Sequence, residues 1–225
     1  MFGKNKILKP TFHDGLHLDV QEIFATLQGE GVYVGHPSVF VRLGGCNLSC
    51  NFCDTEFDSY ENFSLEKILE EVQKLAKNSA GEAVRKLVVI TGGEPFRQPI
   101  ERLCEELVKL EFLVQIETNG TLFRDLPNAV KVICSPKNTD GKYHSIRRDL
   151  LLRINAFKFI ISETNKNYFS VADVGQAELK IPVYLQPMDE RDEVKNEANL
   201  KRAVKLCEDG GYLLSLQMHK ILGIR

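Results

Sequence analysis

Residues 44–57 read GGCNLSCNFCDTEF and place Cys46, Cys50 and Cys53 within eight positions, followed by Asp54 and Thr55. Three thiolates are one short of the four that close a structural zinc site or an ordinary iron–sulfur cluster. A zinc site would take its fourth ligand from Asp54 or, less readily, from His36 ahead of the run. Three cysteines buried as small hydrophobes are the plainest alternative. The remaining chemistry is a 4Fe–4S cluster held by three cysteines, with one iron left open to bind a small molecule. Gly44 and Gly45, immediately before the run, free the backbone to turn tightly beside such a bulky group.

A cluster needs elements to hold it, and the 225 residues are enough for one sizeable core. Short apolar, β-branched runs recur along the chain: SVFVRL (38–43), LVVI (87–90), FLVQIE (112–117), VKVIC (130–134), FKFII (157–161), VYLQ (183–186) and YLLSLQ (212–217). Amphipathic segments fall between them. Leu65, Ile68, Leu69, Val72, Leu75 and Ala76 follow a capping Ser64 at helical spacing. Ile100, Leu103, Cys104, Leu107 and Leu110 form a second stripe, and NEANLKRAVKLCEDGG reads as a helix stopped by Gly210 and Gly211. Strand–helix alternation predicts an α/β fold with a parallel sheet. A full eight-unit barrel usually needs roughly 250 residues, so the expectation is a partial, open β/α barrel of about six units with abbreviated helices. Residues 1–17 read as an N-terminal extension and 18–225 as a single domain. Cys104 and Cys207 fall on apolar helical faces and Cys134 ends a strand before SPK; all three are expected in the core.

Lys plus Arg number 29 against 31 Asp plus Glu, a net charge of −2. That balance argues against a nucleic-acid partner. The apolar runs are far too short to cross a bilayer, and MFGKNKILKPTFHDG lacks the apolar centre of a secretory signal. A reducing cytoplasm is therefore expected, where clustered cysteines serve as ligands or catalytic groups rather than as disulfides.

Polar, glycine-rich segments follow the strands in order: TGGEP (91–95), ETNGT (117–121), SPK (135–137) and Gln186-Pro187. Singly, each is ordinary turn chemistry. Together with C-x3-C-x2-C they resemble the radical S-adenosylmethionine enzymes. The resemblance implies that S-adenosylmethionine chelates the open iron through its amino and carboxylate groups. One electron from the reduced cluster then breaks its C–S bond, and a 5′-deoxyadenosyl radical abstracts hydrogen from the substrate.

LQGEG (27–31), FVRLGGCNLSC (40–50), CDT (53–55), TGGEP, SPK and QMHKILGIR (217–225) narrow the resemblance to one branch, the 7-carboxy-7-deazaguanine synthases, from about residue 18 to residue 225. That branch converts 6-carboxy-5,6,7,8-tetrahydropterin to 7-carboxy-7-deazaguanine with release of ammonia, in queuosine and deazapurine biosynthesis. The resemblance implies a 4Fe–4S cluster on Cys46, Cys50 and Cys53, and S-adenosyl-L-methionine along Phe52, Cys53, Asp54, Gly93, Ser135, Pro136, Lys137 and Gln186. It implies the pterin at Leu27, Gln28, Gly29, Arg42, Thr91 and Arg225, and Mg²⁺ on Thr55, with Asp54 as the rival ligand. An external, flavodoxin-like one-electron reductant and a homodimer are implied as well. No side chain is assigned as acid or base. His219 reads equally as a proton carrier or as a cap on the last strand. Phe52 stands where many relatives have tryptophan, and Met218 where close ones have threonine. A glycyl-radical-enzyme activase would share the cluster and cofactor motifs but would not need LQGEG or a substrate-tuned QMHKILGIR.

Overall fold

The computed structural model describes residues 5–50, 52–53, 55–139 and 141–224. Its main sheet is built from β1 (His17–Leu27), β2 (Pro37–Leu43), β3 (Glu61–Ser64), β4 (Leu87–Gly92), β5 (Leu113–Thr118) and β6 (Lys131–Cys134), followed later in the chain by β9 (Ile154–Ile161), β10 (Val183–Pro187) and β11 (Leu213–Leu214). A two-residue hairpin, β7 (Asn138–Thr139) and β8 (Lys142–Tyr143), stands apart from it. The helices are α1 (Leu65–Leu75), α2 (Glu101–Lys109), α3 (Arg148–Leu151), α4 (Gln176–Leu179), α5 (Glu193–Gly210) and α6 (Met218–Leu222).

The sheet order is β11-β10-β9-β6-β5-β4-β2-β1-β3. From β2 to β11 every neighbouring pair is parallel, whereas β1 lies antiparallel to both β2 and β3. Six parallel strands of four or more residues thus make the expected open barrel. Its helices are abbreviated as expected: α3 and α4 have four residues each. The antiparallel pairing of β1 with β2 and β3 is not expected from the sequence, because HLDVQEIFATL lacks the unbroken apolar run of the other strands.

Side chains alternate between two faces of each strand. On the outer face Val39, Val41, Val88, Ile90, Val114, Ile116 and Phe157 pack against Leu65, Ile68 and Val72 of α1 and Leu103 and Leu107 of α2, in one contiguous core. The Ser64 hydroxyl accepts from the Lys67 amide and caps α1 as expected. Helix α5 starts earlier than its apolar pattern, at an Asp192 cap that accepts from Lys195 N, and it stops at Gly211 (φ +68°). Cys104 and Cys134 are fully buried, and Cys207 packs partly buried against the same core.

YLLSLQ yields only two residues of strand. Leu213 and Leu214 are exposed, and Ser215 leaves the edge to take the Gly31 amide on its hydroxyl at 2.9 Å. Among the described residues, no helix is long and apolar enough to cross a membrane.

Candidate active site

The inner face of the barrel carries what the outer face excludes. Glu22, Arg42 and Thr91 sit side by side on β1, β2 and β4 in a single cross-strand row. Glu22 accepts from Arg42 Nε at 2.8 Å, and Phe24 and Phe40, one row along, stack with ring centres 5.3 Å apart. The Arg42 guanidinium lies over the Phe24 ring and donates through Nη1 to the Thr55 hydroxyl at 3.3 Å. Two residues expected to serve different ligands are therefore in contact.

At the carboxyl ends of the strands these side chains open into a cavity of about 520 Å³. Cys46, Cys50 and Cys53 line it, as do Phe52, Thr55, Thr91 and Gly93. So do Leu27, Gln28, Gly29 and Arg42 from β1, β2 and the turn between them, and Ser135, Lys137 and Gln186 from the later strands. Pro136 is buried between its neighbours and does not reach the cavity wall. Asp54 and Arg225 lie outside the described residues.

The cysteine loop is fixed from behind. Gly93 N donates to Leu43 O and Glu94 N to Gly45 O, and a Cβ on Gly93 would stand 2.0 Å from Gly45 O. The TGGEP glycine is thus required by contact between two backbones. Glu94 is fully buried; one carboxylate oxygen accepts from the Thr118 hydroxyl at 2.7 Å and Phe96 N at 3.0 Å, the other from Asn119 N at 2.7 Å. It joins TGGEP to the ETNGT turn, and burial pushes its carboxyl above the usual range. From that turn Asn119 Nδ2 reaches Asn47 at 2.9 Å, and Thr121 completes the bracket to Asn47 at 2.7 Å.

All six cysteines are free thiols. Burial, with Glu94 adding to it, pushes the Cys46 thiol up to about 12, and burial likewise raises Cys50. Such thiols give up their protons to a metal, not to water. Leu48 N already points at Cys46 Sγ at 3.4 Å, a donor suited to a ligating sulfur. Among the described residues, no three His, Cys, Asp or Glu side chains converge tightly enough to share one metal ion. Cys46, Cys50 and Cys53 line one cavity, and their three thiol donors are a set that fits a 4Fe–4S cluster. Lys137 Nζ sits 2.6 Å from the Ser135 hydroxyl at the cavity edge, and Phe52 packs edge-on to Tyr168 at 5.0 Å.

The far wall holds a group of charges that the motif reading missed. Lys158 of β9 donates to Glu30 and, at 2.9 Å, to Glu117 of β5. Gln28 and Gln115 donate to Glu117 at 3.1 and 3.0 Å, and Gln217 to Glu30 at 3.0 Å. Burial works against the charges of Glu30 and Lys158, but Lys158 outweighs it at Glu30 and holds that carboxyl below its usual range. The two carboxylates in turn raise Lys158. The signal was present in the sequence: a lysine inside FKFII and a glutamate closing FLVQIE are charges in strands that are otherwise apolar.

The C-terminal segment folds over this wall. Met218 N donates to Gly29 O at 2.9 Å, and a Cβ on Gly29 would lie 2.4 Å from His219 Nδ1. His219 lines the cavity from within α6 and does not cap the last strand.

This chain matches the family model of the Radical SAM superfamily over residues 40–137. It is 52% identical to the 7-carboxy-7-deazaguanine synthase of Rickettsia prowazekii (strain Madrid E), covering 100% of this chain and 96% of that protein. The chain belongs to the 7-carboxy-7-deazaguanine synthase family. A second member, from Rhodospirillum rubrum, is 40% identical with both chains fully covered. The crystal structure of QueE from Escherichia coli superposes with a TM-score of 0.73 at 25% identity, over 90% of this chain and 95% of that one. The family is thus a group of radical S-adenosylmethionine enzymes, and the open parallel sheet described above is its fold in this chain.

Proposed function

We propose that this enzyme converts 6-carboxy-5,6,7,8-tetrahydropterin to 7-carboxy-7-deazaguanine, the product for which its relatives are named, with loss of ammonia. The observation that carries the proposal is one cavity with cysteine thiols at one side and Arg42, Thr55 and Thr91 beside them. Cys46, Cys50 and Cys53 would hold the 4Fe–4S cluster, with S-adenosylmethionine reaching it past Phe52, Gly93, Ser135, Lys137 and Gln186. Bound together, these groups supply one-electron chemistry that starts with hydrogen removal from the substrate.

The remaining work falls to the chain's own side chains. Glu22 fixes the Arg42 guanidinium by its Nε edge, so its plane is set before a substrate carboxylate arrives. Thr55, in hydrogen-bond reach of the same guanidinium, would offer its hydroxyl oxygen to a magnesium ion, which commonly takes one or two protein oxygens and keeps several waters. Phe24 and Phe40 give a flat apolar surface for a bicycle. Ionised carboxylates accept only, and the amine and amide edge of a pterin donates, which suits Glu30 and Glu117 to that end of the ring. Lys158 donates to both and holds the Glu30 carboxyl below its usual range. We further propose a cytoplasmic homodimer supplied with electrons by a flavodoxin-like reductant.

The test is anaerobic reconstitution with iron and sulfide, then incubation with reductant, S-adenosylmethionine, Mg²⁺ and the carboxylated tetrahydropterin. The deazaguanine acid is expected. Cleavage of S-adenosylmethionine without that product would overturn the substrate assignment, and an intact cofactor would overturn the radical one.

A further inference from the structure

The amino-terminal segment has no role in the reaction described so far, yet its described residues are built into the cysteine loop. Ile7 pairs with Cys46 in a parallel bridge, and Leu8 N donates to Cys46 O at 2.7 Å. Thr11 N donates to Arg97 O at 2.7 Å, and Arg124 Nη2 to Thr11 O at 2.8 Å. At the head of this strap Asn5 is 7% exposed. Its Oδ1 accepts from Phe57 N at 3.3 Å. Its Nδ2 donates to Thr55 O at 3.0 Å and lies 3.9 Å from Cys53 Sγ.

The two hydrogens of that one nitrogen thus face two acceptors. Cys53 Sγ and Thr55 O are 3.3 Å apart, with the thiol donating to the carbonyl. As an iron ligand the sulfur carries no proton, so two electron-rich atoms would then face each other. The Asn5 amide is the group placed to bridge them. Donors to ligating sulfurs hold ligands in place and raise cluster potentials.

We propose that the strap is a positioning element for the iron–sulfur cluster, with Asn5 bracing the loop at Phe57 and donating an N–H to the ligating sulfur of Cys53. This rests on the reading of the three cysteines as cluster ligands.

The experiment compares wild type with Asn5→Ala and Asn5→Asp by two readouts. Hydrogen exchange is followed at residues 55–58 of the cluster-free chain, and the midpoint potential of the reconstituted cluster is titrated by electron paramagnetic resonance. In Asn5→Ala the Phe57 amide is expected to exchange about ten-fold faster, and the potential to move negative. Asn5→Asp keeps the acceptor for Phe57 but has no N–H, so it restores the exchange rate without restoring the potential. Unchanged exchange and potential in Asn5→Ala would overturn the inference. Normal exchange and potential shifts in a chain that makes no deazaguanine acid would sustain it while removing the substrate assignment. A wild-type chain that assembles no four-iron cluster would overturn both.

Discussion

Arg42 and Thr55 are hydrogen-bonded at 3.3 Å, joining the strand before the cysteine loop to the residue just beyond its last cysteine. The site proposed for a substrate carboxylate and the site proposed for its metal are therefore one unit. Arg42→Lys keeps the charge but loses the fork and the Nε contact to Glu22. It is expected to raise KM for the pterin at least about ten-fold, by loss of a charge-assisted bond. Substrate-free cleavage of S-adenosylmethionine should be unchanged, and steady-state kinetics beside that uncoupled reaction checks both.

Thr55→Ser keeps the oxygen and Thr55→Ala removes it. If that oxygen meets Mg²⁺, Ser retains magnesium activation of turnover and Ala loses it, while cluster content stays at the wild-type level. Titrating product formation against Mg²⁺ for the three proteins distinguishes them.

Lys158→Met leaves Glu30 and Glu117 facing each other without their shared cation. Removing one partner of a buried ion group typically costs about 3–5 kcal/mol. With Lys158 gone, burial raises the Glu30 carboxyl above its unfolded value. The sign follows: the variant is relatively more stable at low pH and loses stability as pH rises through the raised value. Thermal unfolding at pH 5 and pH 8 should show a larger deficit at pH 8.

Asp189 gives the opposite slope. Burial works against its charge, but the Lys220 ammonium at 2.7 Å, with Arg191 N and Asn196, brings its carboxyl down to about 2. A depressed carboxyl contributes stability above its ordinary value of 3.8, and this is lost as pH falls toward 2. The Lys220→Met deficit, under about 1 kcal/mol for so exposed a pair, should be present at pH 6 and shrink between pH 4 and pH 3 in urea titrations.

Glu94→Gln replaces one oxygen, on which a donor converges, with an amide nitrogen that cannot accept. Loss of a buried partner costs about 1–3 kcal/mol. Because Glu94 ties TGGEP to Asn119, the loss should appear both in thermal unfolding and as faster exchange at Asn119 N.

The six parallel strands were legible because each is a short apolar run buried on its helix-facing side, as in LVVI and FKFII. The cysteine loop was legible because its ligand spacing is local. What escaped was set by contacts distant in sequence. Strand β1 mixes buried and half-buried residues, with a register break between Val20 and Glu22 and with Phe24, Thr26 and Leu27 lining the cavity, so it shows no continuous apolar signal. The Lys158–Glu30–Glu117 group joins β9, β5 and the turn after β1, residues up to 128 apart. The strap reads only as an N-terminal extension because its main tethers are backbone bonds to Cys46 and Arg97, which any residue types could make. The resemblance assigns Gly93 to the cofactor, and it does not foretell that a Cβ there would first meet Gly45 O.

Gly29 and Met218, and likewise Gly31 and Ser215, meet across the gap between the two ends of the open sheet. The barrel rim is thus fastened by segments roughly 190 residues apart, without a shared strand ladder. During synthesis on a ribosome the strands can pair one after another, but the ring can be clasped only when residues 215–219 emerge. A nascent chain halted before that point would own every sulfur ligand and still lack a finished chamber.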